Sequence, residues 1–350
     1  MSENAEVLCH RQGAAGVIVL NRPQALNSLT LGMVREMRRA LDSWASDPSV
    51  TRVVVTGSGE KAFCAGGDIR RLYELGRSGN LAEALTFWRE EYELNVAIKR
   101  YPKPYVSLID GIVMGGGVGV SLHGSHRVAG DRYLFAMPEV GIGFFPDVGA
   151  TYALPRLPGR TGTYLALTGE RLRGADAVAL GLATHVVSSA SLSSAQERLA
   201  AGESVDIVLS DLSRDLGPAP LQQHRDVIDH CFAGAGVMDI LDRLDKAAQT
   251  GSEFAEKTAA TIRTKSPTSL RIAFEQMRQG ASLDFEAAMQ TEFRIVSRIC
   301  EGHDFYEGVR ATLIDKDGAP RWSPASLSDV KDAAIERHFA DLGPLELRTA

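Results

Sequence analysis

Apolar positions in the first half of the chain fall into short unbroken runs separated by amphipathic stretches. Val17-Ile18-Val19-Leu20 stops at Asn21-Arg22-Pro23, Val53-Val54-Val55-Thr56 at Gly57-Ser58-Gly59, and Tyr105-Val106-Ser107-Leu108-Ile109 at Asp110-Gly111. Runs of this length bounded by turn residues predict strands covered on both faces. Between the first two, Val34, Met37, Leu41 and Trp44 recur at helical spacing, while Arg35, Arg38, Arg39 and Asp42 fall on other faces. This predicts an amphipathic helix, with Thr30 as its N-cap. Residues 81–99 predict a second helix through Leu81, Leu85, Trp88, Tyr92 and Val96. Alternation of strand and helix implies an α/β core with mainly parallel pairing.

The pattern changes after a last strand-like run, Thr184-His185-Val186-Val187, and a Ser/Ala-rich segment at 188–195. Beyond it, 228–232, 238–248, 254–265, 269–279 and 284–300 read as helices. The expected organisation is an α/β core over residues 1–195 and a mainly helical region over 196–350, with fraying from about residue 341.

Bulk properties narrow the function classes. A chain of 350 residues is long for one core, so two domains or one large α/β domain with an appendage are expected. A net charge of −6 argues against a general affinity for nucleic acid or anionic membranes. Cys9, Cys64, Cys231 and Cys300 are scattered without a Cys-x-x-Cys pair, which argues against a zinc site or a disulfide framework. Reduced thiols, an acidic N-terminal segment without an apolar signal region, and no membrane-length apolar run give a soluble cytoplasmic protein as the expectation.

Candidate chemistry concentrates in Met137-Pro138-Glu139-Val140-Gly141-Ile142-Gly143-Phe144-Phe145-Pro146-Asp147-Val148-Gly149. Ionised groups lose hydration in apolar company. Glu139 and Asp147 are therefore expected to have raised pKa values and to suit acid, base or nucleophile roles. The alternative is a pair of loop acids capping backbone N–H groups. Upstream lie two glycine-rich segments, Cys64-Ala65-Gly66-Gly67-Asp68 and Asp110-Gly111-Ile112-Val113-Met114-Gly115-Gly116-Gly117. Each follows a strand and precedes a helix. Such junctions offer N–H groups that can polarise a carbonyl, although tight strand–helix packing also explains the glycines.

Rival motifs fail on single residues. Val120 stands where a dinucleotide fingerprint needs its third glycine, and His123 where a nucleophile elbow around Ser121 needs one. There is no Gly-Lys-Ser/Thr phosphate loop and no His-Glu-x-x-His zinc helix.

Asn21-Arg22-Pro23-Gln24-Ala25-Leu26-Asn27-Ser28-Leu29, Ala65-Gly66-Gly67-Asp68, the 110–117 segment and Met137-Pro138-Glu139 occur in this order over the first 190 or so residues. Together they resemble the crotonase (enoyl-CoA hydratase/isomerase) superfamily. The resemblance implies a spiral of ββα units with a C-terminal helical region, an acyl-CoA substrate, and an oxyanion hole made by the N–H groups of Gly67 and Gly116. Hydratases of the superfamily carry a first glutamate two residues after the triple glycine; here Gly119 stands there, whereas Glu139 matches the second. The Phe-Phe-Pro-Asp-Val-Gly run around Asp147 resembles a thioester-hydrolysing branch. So do Arg89-Glu90-Glu91-Tyr92, Leu154-Pro155-Arg156-Leu157, Leu167-Thr168-Gly169 and the segments 304–311 and 314–317. Residues 195–255 show only a generic helical pattern.

That branch acts on 3-hydroxyisobutyryl-CoA in valine breakdown and often on 3-hydroxypropionyl-CoA. The implied roles are Glu139 as nucleophile or general base, Asp147 binding the substrate hydroxyl or positioning Glu139, and Glu91 binding substrate. Lys61, Ala65 and Arg70 are candidates for contacts to CoA. No metal or redox cofactor is implied, and a homo-oligomer is compatible with the superfamily. Two other readings stay open, a hydratase or isomerase using Glu139 with another partner, and a non-catalytic acyl-CoA-binding protein.

Overall fold

A computed structural model describes residues 5–348. The first four residues of the acidic N-terminal segment, and Thr349 and Ala350, lie outside the described residues. The chain forms two compact units, each assembled from separate stretches. Among the described residues, the first comprises 5–68, 90–136 and 171–220, and the second 69–89, 137–170 and 221–348. A single cut at residue 195 is not a boundary between these units, because the chain passes from one to the other several times. The shift in secondary structure is nevertheless present: among the described residues no strand follows His185–Val186.

The first unit is built on a sheet of six strands among the described residues: β1 (Val7–Gln12), β2 (Ala15–Leu20), β3 (Arg52–Gly57), β5 (Tyr105–Ile109), β7 (His126–Ala129) and β9 (His185–Val186), in that spatial order. The β1–β2 hairpin is antiparallel; every later pair is parallel. A smaller parallel sheet contains β4 (Ala62–Cys64), β6 (Ile112–Met114) and β8 (Leu134–Ala136). Thus β3–β4, β5–β6 and β7–β8 each give one strand to the large sheet and the next to the small one. This is the repeating ββα spiral that the resemblance implies.

Burial explains why the runs are apolar. Val17, Val54, Val106, Leu108 and Val128 pack against Ala195 and Leu199 of the helix Leu192–Ala200, and against Val208 and Leu209 of Val205–Leu212. The helix Leu31–Ser46 buries Met33, Val34, Met37, Leu41 and Trp44, and the Thr30 hydroxyl accepts from the Met33 N–H, as the N-cap expectation requires. Trp44 lies over Gly16, where any side chain would collide with the indole.

The second unit is mainly helical. Trp88 stacks on Phe144 with ring centres 5.7 Å apart, and Phe305 packs edge-on to Trp88 at 6.1 Å. Gly143 has a φ of +71°, and a Cβ there would strike the Asp304 carbonyl. The C-terminal residues depart from the fraying expectation. Leu347 is fully buried, Glu346 pairs with Arg294 at 2.9 Å, and Arg89 donates to the carbonyls of Leu345 and Glu346. An apolar anchor and two charged tethers hold this segment. Among the described residues no helix is long and apolar enough to cross a membrane.

Candidate active site

In the first unit the small sheet sets the geometry. Parallel pairing of β4 and β6 places the turns that leave them side by side. The turn after β4 is held from outside by the segment 26–29. Ala65 N–H donates to Leu26, Leu29 N–H to Gly66, and Asp68 N–H to Leu29, at 3.0, 2.8 and 2.9 Å. Leu26 and Asn27 adopt left-handed φ values of 51° and 56°. Asn27 is fully buried; its amide donates to the carbonyls of Ser58 and Ala62 and accepts from the Arg22 N–H. Arg22 in turn donates to the Ser28 carbonyl at 2.7 Å and pairs with Asp68 at 3.1 Å. The Asn-Arg-Pro-x-x-Leu-Asn-Ser motif is therefore the frame of the Gly67 turn.

The turn after β6 passes through Gly115, with a φ of +45°, into the short helix Gly116–Gly119. A Cβ on Gly116 would lie 2.5 Å from Glu91 Oε1, 3.1 Å from Leu29 Cδ1 and 3.2 Å from the Gly67 nitrogen. The two predicted amide turns thus converge, with Glu91 beside them and only 2% exposed. Among the described residues no protein acceptor takes up the Gly67 or the Gly116 N–H. Two such donors brought side by side suit an oxygen that gains negative charge.

The second unit holds the carboxylates. Glu139 opens the 3-10 turn Glu139–Ile142, and its backbone carbonyl accepts from Phe144 N–H at 3.0 Å. Its carboxyl is buried, and among the described residues Oε2 has no hydrogen-bond partner. Burial, first, and the charge of Asp147, second, hold Glu139 well above the usual carboxylate range, with a smaller push from Glu292. Asp147 is likewise buried. Val148, next to it, has a φ of 52°, rare for a β-branched residue and costing about 1–3 kcal/mol.

Glu292 is absent from the sequence expectations. It is fully buried on the helix Phe285–Ile299 and accepts from the N–H groups of Gly149 and Thr151 at 2.8 and 2.9 Å. Burial and then the Asp147 charge push its carboxyl up to about 8 against those two donors. One signal was available: Glu292 falls on the stripe Phe285, Met289, Phe293, Val296, where a charge is out of place.

The remaining candidates divide between the units. In the first, the exposed Lys61 precedes β4, its carbonyl accepting from Ile112 N–H, and Ala65 lies in the turn itself. Arg70 belongs to the second, where its guanidinium donates to the Leu313 carbonyl at 2.9 Å. The first unit therefore gathers Gly67, Gly116 and Glu91, and the second gathers Glu139, Asp147 and Glu292.

The alternation of strands between a large and a small parallel sheet, in a chain that also carries a mainly helical unit, defines the class of ββα-spiral enzymes. The chain belongs to the enoyl-CoA hydratase/isomerase family, whose model matches residues 15–339. It is 46% identical over 356 residues to a Danio rerio protein named 3-hydroxyisobutyryl-CoA hydrolase, mitochondrial, covering 98% of this chain and 92% of the relative. The Homo sapiens protein of the same name is 45% identical, with 98% and 90% covered. Among solved structures, a carnitinyl-CoA dehydratase from Mycobacterium thermoresistibile superposes with a TM-score of 0.94 at 43% identity, covering 99% of both chains. An enoyl-CoA hydratase from Rhodobacter sphaeroides 2.4.1 gives 0.90 at 39% identity, covering 98% of this chain and all of that one.

Proposed function

We propose that this protein hydrolyses the thioester of a short 3-hydroxyacyl-CoA, with 3-hydroxyisobutyryl-CoA as first substrate and 3-hydroxypropionyl-CoA as second, releasing the free acid and CoA within valine breakdown. The relatives named for this activity over nearly the full chain support it. The observation that carries the chemistry is the convergence of the Gly67 and Gly116 amides. In this reading the two N–H groups hold the thioester oxygen as it becomes negative. Glu139 then acts in one of two ways. Attacking the carbonyl carbon, its carboxylate expels the CoA thiolate and leaves a mixed anhydride, which water cleaves to acid and regenerated Glu139. As a general base, it takes a proton from water while the water oxygen forms the new C–O bond and the C–S bond breaks. Asp147 receives the substrate hydroxyl, Glu91 contacts the acyl group, and Lys61, Ala65 and Arg70 contact CoA.

A second reading, hydration of a C=C bond, is favoured by the names of the two similar solved proteins, a carnitinyl-CoA dehydratase and an enoyl-CoA hydratase. Against it, Gly119 occupies the position of the first hydratase glutamate, so the usual pair of acid–base carboxylates is incomplete. Mass analysis separates the two outcomes. Thiol release from 3-hydroxyisobutyryl-CoA is expected; no thiol release alongside rapid hydration of crotonyl-CoA overturns the proposal. A non-catalytic acyl-CoA-binding role predicts tight binding without turnover of any thioester.

The proposal includes no metal or redox cofactor, so turnover is expected to survive exhaustive chelation. It includes a cytoplasmic location, although the relatives cited are named mitochondrial; subcellular fractionation decides this. Self-association is compatible with the reading and is measured by light scattering.

A further inference from the structure

Asp147 sits in a loop whose path is not the one its sequence prefers. Val148 is left-handed, at a φ where β-branched residues rarely stand, and Gly149 follows with a φ of 91°. Extended backbone at Val148 is the relaxed alternative, and it would turn the adjoining Asp147 to another direction. The loop is tied on both sides of Asp147 by side chains of two later helices. On the C-terminal side, Glu292 uses both carboxylate oxygens to accept the Gly149 and Thr151 N–H groups at 2.8 and 2.9 Å. On the N-terminal side, the Gln276 amide of the helix Pro267–Gly280 donates to the Pro146 carbonyl, and it also donates to Thr151 Oγ1 at 2.6 Å. Both side chains are fully buried, so water does not compete for these bonds. Gly280 reinforces the seat, since a Cβ there would strike the Thr151 carbonyl.

We infer that Glu292 and Gln276 are positioning residues that hold the Asp147 carboxylate in its working direction and thereby set the preference for acyl chains bearing a 3-hydroxyl group. A hydroxyl-reading site discriminates strongly because its polar group is left unpaired by the analogue that lacks the hydroxyl. That discrimination depends on direction: a misplacement of about 1 Å costs on the order of a hundredfold. The inference rests on the reading in which Asp147 receives the substrate hydroxyl.

The test is the ratio of kcat/KM for 3-hydroxyisobutyryl-CoA to that for isobutyryl-CoA, in wild type, Asp147→Asn, Glu292→Gln and Gln276→Met. Partial unfolding lowers both values equally and leaves their ratio unchanged, so a partly folded preparation still decides. Asp147→Asn is expected to collapse the ratio, and each tether variant to lower it by about tenfold or more. Should Glu292→Gln give no soluble protein, Gln276→Met carries the same expectation. A wild-type ratio in the tether variants, beside a collapsed one in Asp147→Asn, overturns the positioning role and leaves the reading of Asp147 standing. A wild-type ratio in Asp147→Asn itself overturns that reading, and the inference with it.

Discussion

At the scale of single residues, the chemistry turns on which carboxyl is ionised. In the proposed mechanism Glu139 works as nucleophile or base only when deprotonated, and burial together with the Asp147 charge makes deprotonation harder. The acid limb of kcat/KM is therefore expected above the ordinary carboxylate value of 4.5, with activity lost as pH falls through the raised pKa. Removing the Asp147 charge must lower that pKa, so in Asp147→Asn the limb moves to lower pH. A pH–rate series checks the sign, and a shift upward would refute the electrostatic coupling. Glu139→Gln keeps the shape and removes the function; kcat is expected to fall about 10²–10⁴-fold with KM changed little. Glu292 makes a different statement, about stability. Its folded pKa of about 8 lies above the ordinary carboxylate value of 4.5, so the native state binds the extra proton between those limits. Its contribution to stability is full below about pH 4.5 and is lost as pH rises through about 8. Melting temperatures measured across that window are expected to fall less steeply with rising pH in Glu292→Gln than in wild type.

Elements bring the residues to their places, and here some of the design is legible in the sequence and some is not. The strands β2, β3 and β5, the helix Leu31–Ser46 with its Thr30 cap, and the helix Leu81–Lys99 all announce themselves through period and turn residues. The strands β4, β6 and β8 do not, since three residues hold too little alternation to register. Yet these short strands carry the proposed oxyanion site, because the pairing of β4 with β6 aligns the turns at Gly67 and Gly116. The motif residues Asn27 and Arg22 could be quoted from the sequence, but their work, bracing the Gly67 turn through Ala62 and Asp68, is a long-range contact with no local signature. Glu292 and Gln276 show locally only as polar intrusions in a helix stripe, and nothing in the stripe names their partners in the 146–151 loop. The convergence of the turns yields a direct prediction. In Gly116→Ala the new methyl meets the end of the Glu91 side chain, which can shift, and crowds the Gly67 nitrogen from 3.2 Å. The protein should fold, while kcat falls about 10²–10³-fold, the loss seen when one oxyanion donor is removed. Steady-state kinetics beside a melting curve distinguishes this from unfolding.

For the whole molecule, the tension is between its charge and its substrate. CoA carries several phosphate charges, and a chain with a net charge of −6 repels such a ligand at long range. Recognition must then come from cations acting at short range, within the Debye length of about 8 Å at physiological ionic strength, where salt screens the attraction only in part. Lys61 is exposed beside the first amide turn in sequence, and its backbone carbonyl, not its side chain, serves the fold by accepting from Ile112 N–H. Arg70, by contrast, already commits part of its guanidinium to the Leu313 carbonyl, so its loss would disturb packing as well as binding. Lys61→Ala is therefore the cleaner probe. It is expected to raise KM several-fold with kcat unchanged, the signature of binding lost equally from ground and transition states. Added salt should raise the KM of the wild type, and this dependence should weaken in the variant because one of the attractive charges is gone. If KM and its salt dependence match the wild type, Lys61 makes no contact with CoA, and the net acidity must be overcome by Arg70 or by main-chain donors instead.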